Sequence, residues 1–562
     1  MKRLPVGISD FKKVMEESRY FADKSLLIKE ILNEDAEIVL LPRPRRFGKT
    51  LNLSMLRYFF ETTDDRAQTR KLFQGLKIEK EEEFKAHAGR YPVIYLTLKD
   101  IKAPAFEKSL KHIKRLISNE FQRHDYLLES DFLSDLQKQN FNRVLTLKAQ
   151  EELFEASLYD LSVYLHRHHS QKPVILIDEY DTPLHAAYVE GYYKEIISFF
   201  RTFFGAGLKD NGHIFKGVLT GILRIARESI FSGMNNLGVY SVISRKFSDK
   251  FGLTEEEVLD LFKYYQQEDK IPVAHEWYNG YMFDQSVIYN PWSIINYMSN
   301  MPDDPKPYWA HTSSNKIIRD LVRESPDGLK SELYDLLKDR PVTKKIEENI
   351  VFDDLFKDDG TLYSFLLFAG YLTAFDRRRV GAEDYRKFLI PNLEVKHALK
   401  NTVMQWITGG YESRKLKIML DALIQGDIKT FETALGDFIL ETLSYFDTAG
   451  KNVEKVYQAF LLGLLANLSH SYEINSEKES GFGRYDISVV PKDKSKKAIV
   501  LELKTVKENE SKDAALAGAL AQIEEKKYES AILKTGVKKI RKIAVVFDGK
   551  RVWCKMAGVS GH

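Results

Sequence analysis

The chain has 562 residues, 44% hydrophobic and 12% aromatic, which excludes both a disordered protein and a single hydrophobic core. A net charge of +3 excludes little, but residues 481–562 hold 18 Lys and Arg against 10 Asp and Glu, leaving 66 against 71 elsewhere. A basic C-terminal segment suits either a polyanionic partner or a solvated lysine-rich surface. One cysteine, Cys554, excludes an internal disulfide framework and predicts a reducing, cytoplasmic setting. The opening MKRLPVGISDFKKVMEE lacks an apolar core of signal-peptide length. The longest apolar run, Tyr363 to Phe375, is too short for a bilayer and reads as a buried helix, so no membrane partner is expected.

The first element is the apolar run AEIVLLP (Ala36–Pro42), read as a strand. RPRRFGKT follows, and then LNLSMLRYFFE, with apolar residues at helical spacing. Strand, loop and helix is the context of a phosphate-binding loop, whose backbone N–H groups at a helix N-terminus face an anion. Gly48 lets the backbone approach, Lys49 reaches the outer phosphates, and the Thr50 hydroxyl ligates Mg2+. Arg43 stands where such a loop carries its first glycine, bracketed by Pro42 and Pro44, so the loop is expected to enter by a rigid, different route. Arg45 and Arg46 add charge beside the phosphates, and Phe47 completes the nucleotide-binding stretch.

VIYLTLKD (Val93–Asp100) and IFKGVLTG (Ile214–Gly221) read as further strands of one sheet. Between them, PVILIDEYDTPL reads as a buried parallel-type strand ending in adjacent carboxylates. Asp178 is expected to hold Mg2+ through water, and Glu179 to orient and deprotonate the attacking water. Thr220 is placed to sense the γ-phosphate. Arg224 and Arg227 are open between phosphate contact, service to a neighbouring subunit, and an ordinary surface role. The HRHHSQK stretch with His166, His168 and His169 reads as a solvated turn, not a metal site.

RPRRFGKTLNLSML, LIDEYDTPL, GILRIARESIFSGMNN and WYNGYMF with IYNPWSI together resemble the bacterial AAA-ATPase-like proteins fused to a nuclease-like C-terminal domain. The likeness runs from about Leu4 to past Pro291 and resumes near the C-terminus; arginine at the first loop glycine is part of that family's pattern. The resemblance implies an α/β protein: a P-loop NTPase core (a parallel sheet flanked by helices) over residues 1–250, then a helical, winged-helix-like region over 251–345. A helical linker over 346–446 and a restriction-endonuclease-like α/β domain over 447–562 complete it. Members of the wider ATPase class form rings, which leaves an oligomer open.

From Leu253 to about Phe446 the patterns are amphipathic and helical. LTEEEVLDLFKYYQ opens with Thr254 as its cap, and the aromatics of WYNGYMFDQSVIYNPWSI read as packed core. The last hundred residues read as helix, strand, strand, helix, strand: NVEKVYQAFLLGLLANL, RYDISVVPK, KAIVLELKTV, DAALAGALAQIEEKKY and KIAVVFDG.

In the central strand, Glu502 and Lys504 point the same way while Ile499, Leu501 and Leu503 take the other face. An acid beside a lysine suits a carboxylate holding a divalent cation while the lysine stabilises a pentavalent phosphate; the bland alternative is an exposed pair on a solvated face. Asp486, opening the preceding strand, supplies a second ligand, and an all-oxygen set favours Mg2+, with Mn2+ as the alternative ion, over zinc. This constellation resembles the PD-(D/E)XK nuclease superfamily. That resemblance implies roles for Gln522 and Tyr528 in its Q-x-x-x-x-x-Y ending and for Glu454 as a helical acid. Val489-Val490-Pro491 replaces any literal Pro-Asp at the motif's start. Lys538, Lys539, Arg541, Lys542, Lys550 and Arg551 are expected to track a nucleic-acid backbone, DNA foremost. The expected function is an ATPase whose cycle controls a Mg2+-dependent nuclease, in DNA processing or defence; the alternative is a nucleotide-gated switch that binds nucleic acid without cutting.

Overall fold

The computed structural model describes residues 1–63, 66–223, 230–231, 233–309, 332–333, 335–350, 359–399, 413–442, 457–458, 461–462, 464–468, 471–476, 479–480, 483–484, 486–506, 510–526, 532–557 and 560–561. Packing divides the chain into two compact units: Met1–Ser313 with Pro341–His397, and Ser314–Arg340 with Ala398–His562. No helix among the described residues is long and apolar enough to cross a membrane.

The first unit is built on strands that are buried along their whole length. Every residue of β1 (Ile38–Pro42), β3 (Val174–Asp178) and β4 (Lys216–Gly221) is buried. Strands hydrophobic on both faces need helices on both sides, which is the condition for a parallel sheet. With β2 (Val93–Thr97) and β5 (Leu237–Val239) the order is β2-β3-β4-β1-β5, all parallel. Strand β4 therefore separates the loop strand β1 from the acidic strand β3, and the functional groups gather at the carboxyl edge. Helix α1 (Lys49–Phe60) leaves that edge directly after β1. The histidine-rich stretch is not a turn: it forms the last turn of α2 (Glu151–His169), where basic side chains complement the helix C-terminus. His168 Nδ1 lies 2.8 Å from Ser130 Oγ and His169 Nε2 lies 2.9 Å from Tyr126 Oη, side-chain partners that account for two of its three histidines.

Next comes a three-stranded sheet in the order β6-β8-β7, from β6 (Leu253–Thr254), β7 (Tyr281–Phe283) and β8 (Ser286–Tyr289), with α3 (Glu255–Tyr264) and α4 (Ile271–Tyr278) inserted after β6. Thr254 caps α3 reciprocally: its hydroxyl accepts the Glu257 N–H at 3.3 Å while the Glu257 carboxylate accepts the Thr254 N–H at 2.9 Å. Tyr278, Tyr281 and Tyr289 are core, as their density in the sequence indicates. Asn290 caps α5 (Pro291–Ser299), accepting from the N–H groups of Trp292 and Ser293.

Residues 342–389 depart from the helical expectation. They hold α6 (Asp359–Ala369) and an antiparallel sheet of β9 (Val342–Lys345), β10 (Thr373–Val380) and β11 (Glu383–Leu389), ordered β10-β11-β9. The run Tyr363–Phe375 is accordingly split between a helix and the start of a strand. Charged stretches such as FDRRRV hide a strand because residues on both of its faces are exposed, so no alternation of apolar and polar marks it.

The second unit places α7 (Ser413–Gln425) and α8 (Ile428–Thr442) against one face of a mixed sheet. Its strands are β12 (Tyr472–Ser476), β15 (Ile487–Pro491), β16 (Ala498–Thr505), β17 (Lys539–Asp548) and β18 (Arg551–Met556), in that order across the sheet. A small hairpin, β13 (Glu479–Ser480) and β14 (Gly483–Arg484), precedes β15. Only β16 and β17 are parallel, joined by the crossover helix α9 (Lys512–Glu525), which covers the second face. The sequence order of strand, strand, helix, strand holds; β12 and β18 are additional edge strands.

Candidate functional site

The first site begins at Arg43. Its side chain is 0% exposed and points away from the loop mouth. Nη1 donates to the carbonyls of Pro42 at 2.8 Å and Tyr240 at 2.6 Å, and Nη2 to that of Phe247 at 2.9 Å. The guanidinium carbon stands 5.0 Å from the Phe251 ring centre and 5.6 Å from that of Phe283. Burial pushes its pKa down to about 9, leaving it cationic at neutral pH. The arginine in the first-glycine position is thus an anchor for the base of the loop. Phe47 behaves likewise: its buried ring lies 4.9 Å from Tyr281 and 5.2 Å from Phe283, so only its backbone is available to a nucleotide.

Two further contacts brace the loop from the same unit. The Arg46 guanidinium lies 3.8 Å over the Trp292 ring, and the Arg45 carbonyl accepts the Trp309 indole N–H at 3.3 Å. Trp309 is held in turn by Glu394, whose carboxylate accepts the Trp309 backbone N–H at 2.6 Å and the Ser293 hydroxyl at 2.7 Å; burial pushes that carboxyl up to about 7. None of these partners is near the loop in sequence.

At the loop's end Gly48 has φ 84°, and a Cβ there would meet nothing within 4 Å, so backbone conformation and not space demands glycine. Lys49, 4% exposed, donates to the carbonyls of Arg43 at 3.1 Å and Pro44 at 3.0 Å. Burial lowers its pKa, and the charges of Glu179, Asp178 and Asp181 oppose that shift. The Thr50 hydroxyl donates to Asp178 at 2.8 Å, and the Thr220 hydroxyl donates to the other carboxylate oxygen at 2.7 Å. Burial raises the Asp178 pKa while both hydroxyls pull it down. The sheet order explains this cluster: β4 brings Thr220 between the two strand ends.

Glu179 sits in the left-handed region at φ 52°, its carboxylate accepting the Thr182 hydroxyl at 3.1 Å. Asp181 carries no role in the sequence reading, yet it is 1% exposed and accepts the N–H groups of Ile222 at 2.8 Å and Leu223 at 2.9 Å. Its other oxygen has no hydrogen-bond partner, and burial pushes its carboxyl up to about 6. A Cβ on Gly221 would lie 2.7 Å from that oxygen, so the strand end is fitted around it. The DEYDTP string carried the signal, a third acid before a Thr-Pro helix start. Arg224 and Arg227 lie outside the described residues.

In the second site, the β15–β16 pairing ends with Ile487 opposite Leu501, and Asp486 and Glu502 each lie one residue beyond that pair. Asp486 accepts the Leu503 N–H at 2.7 Å, and its carbonyl accepts Gln458 Nε2 at 3.1 Å. Glu502 is 2% exposed and accepts a hydrogen bond from Gln522 on α9. Lys504, half-buried, lies over Gly518, where a Cβ would be 3.6 Å from its amine. The acid and lysine therefore face α9, not open solvent. Glu454 and Tyr528 lie outside the described residues. Two of the six expected backbone-tracking cations are internal instead: Arg541 donates to the carbonyls of Ile424 and Gln425 at the end of α7, and Lys542, 2% exposed, pairs with Glu524 at 2.8 Å.

Both sites offer hard oxygen donors without histidine or cysteine, a set suited to Mg2+. Among the described residues no group of three or more His, Cys, Asp or Glu is arranged to hold a metal, so an ion at either site needs phosphate or water oxygens as well. Thr50 and Asp178 are the protein donors at the first site, Asp486 and Glu502 at the second.

Comparison with known proteins bears on both. Residues 5–231 match the family model described as Predicted AAA-ATPase, and residues 452–557 match that of the PD-(D/E)XK nuclease superfamily. The chain thus carries an AAA-ATPase-like domain and, C-terminal to it, a nuclease-superfamily domain. It is also 25% identical over 500 residues to the "Uncharacterized protein in vnfD 5'region" of Azotobacter chroococcum mcd 1, spanning 87% of each chain.

Proposed function

We propose that the protein hydrolyses ATP at the Lys49–Asp178 site and cuts nucleic-acid phosphodiester bonds, in DNA foremost, at the Asp486–Glu502 site, with nucleotide state controlling the cutting. The observation that supports the reading is that Asp486 and Glu502 flank the last β15–β16 pair, with Lys504 two residues further along the same face as Glu502. At the first site the Lys49 amine exchanges its loop carbonyls for the outer phosphates. Glu179 orients water toward the γ-phosphorus and takes its proton as ADP leaves. Mg2+ held by Thr50 and Asp178 supplies charge neutralisation on the phosphates. At the second site Lys504 offsets charge growing on the phosphate, and Gln522 fixes the Glu502 carboxylate. A cytoplasmic setting, with DNA processing or defence as the process, fits two such activities on one chain.

The test uses purified full-length protein with labelled DNA and RNA, Mg2+ or Mn2+, with and without ATP. Glu179→Gln retains bound ATP with hydrolysis lost; Glu502→Ala abolishes cleavage while phosphate release from ATP persists. Undiminished cutting by Glu502→Ala in Mn2+ would falsify the nuclease assignment. The second reading, a nucleotide-gated switch that binds nucleic acid without cutting, is favoured by Arg43 standing at the first-glycine position of the loop. It predicts ATP-dependent nucleic-acid binding and intact substrate after prolonged incubation.

A further inference from the structure

Edge strand β18 alternates strictly. Val552 is buried in the core beneath α7 and α8, and Cys554 and Met556 pack on that same core. The other face of the strand presents Arg551, Trp553 and Lys555, with both cations exposed and the tryptophan half-buried. Trp553 rests against the Ala515, Leu516, Ala519, Ala544 and Val546 cluster, and the Lys512 amine of α9 stands 5.5 Å from its ring centre. Three acids lie near: Asp548 opposite Arg551 in the register, Asp513 beside Lys512, and Glu432, whose carboxylate accepts the Cys554 N–H at 2.5 Å. Three cations, Arg551, Lys555 and Lys512, stand around the one ring.

The register ties this patch to the acid pair. Lys504 pairs with Val546, and Val546 with Trp553; Glu502 pairs with Ala544, and Ala544 with Lys555. Residues opposite one another in a sheet share a face, so all six lie on the α9 side. With strands about 4.8 Å apart, Trp553 sits roughly 10 Å across the sheet from Lys504. Helix α9 covers Ala544 and Val546 between the two, and its first residue, Lys512, stands at the patch.

We propose that Arg551, Trp553, Lys555 and Lys512 form a stacking platform for an unpaired base, which holds a single-stranded nucleic acid leading to Asp486 and Glu502. The proposal rests on the nuclease reading for its purpose and on the β18 face for its place. An aromatic ring among cations matches the alternating bases and phosphates of a single strand, whereas the bases of a duplex already stack on one another.

The experiment measures fluorescence anisotropy of labelled single-stranded DNA, single-stranded RNA and blunt duplex DNA with the full chain carrying Glu502→Ala, so that cleavage does not intrude. Adding Trp553→Ala weakens single-strand binding about tenfold or more, and Trp553→Phe restores most of it. The DNA and RNA arms identify the strand held. Arg551→Gln with Lys555→Gln, both on the surface, leaves the fold intact and lowers the salt slope by about 1–2. Unchanged single-strand affinity in both the tryptophan and the double-glutamine variants overturns the platform, as does an equal loss for duplex, or no binding at all. Cleavage by the otherwise wild-type chain is scored separately: cutting with unchanged affinity in Trp553→Ala sinks the platform and spares the nuclease. Specific binding without cutting does the reverse.

Discussion

The two sites solve one problem, holding charge beside phosphorus, in opposite ways. At the first, the polar groups are closed on one another: Lys49 on two carbonyls, Asp178 between two hydroxyls, Arg43 on three carbonyls. A nucleotide there must exchange protein partners for its own oxygens. At the second, Asp486 accepts a backbone N–H, the buried Glu502 accepts from the Gln522 amide, and the lysine stays half-buried. The contrast suits a small ligand enclosed by its site against a polymer that lies across it.

The largest effect expected from breaking the contrast is at Lys49. Lys49→Ala lowers steady-state ATP hydrolysis by about 10²–10³-fold, the scale of losing one preorganised charge. An activity within threefold of wild type would place the phosphates elsewhere. Next is Arg43→Gly, which installs the residue a standard phosphate loop carries. Here it removes three hydrogen bonds to carbonyls and opens a cavity between Phe251 and Phe283, so it costs about 3 kcal/mol of stability and weakens ATP binding. Thermal unfolding with and without ATP reads both; an unshifted Tm would show that the anchor is ornamental.

A smaller effect concerns pH. Asp181 has its folded-state carboxyl raised to about 6, so folding favours its protonated form. That contribution is present below the unfolded value near 4 and is lost as pH rises through about 6. Asp181→Asn removes it, so the variant loses about 2 kcal/mol less stability than wild type between pH 4 and pH 7. Parallel unfolding curves at the two pH values would refute this. Smallest is Gln522→Ala, which frees the Glu502 carboxylate to rotate and weakens metal-dependent cleavage about tenfold in apparent Mg2+ affinity; Gln522→Asn, too short to reach, fails to rescue.

Much of the architecture is readable from local pattern. Continuous apolar runs mark β1 and β3, and a Thr-x-x-Glu string marks the start of α3. What sequence hides is whatever depends on distant partners. Nothing in RPRRFGKT reveals that Arg43 is directed toward residues 240, 247, 251 and 283, some 200 positions away. Strands β6 to β8 are two to four residues long and carry too few alternations to show a period. Lys542 and Arg541 look like surface cations because composition cannot distinguish an ammonium facing solvent from one paired with Glu524.

The arginine anchor also has a consequence for descent. Because two of its hydrogen bonds go to the backbone at 240 and 247 and its flat face meets two phenylalanines, loop and receptor form one inherited piece. Relatives that exchange the arginine for glycine are expected to change the residues at 251 and 283 in step, and a loop transplanted without its receptor would arrive unsupported.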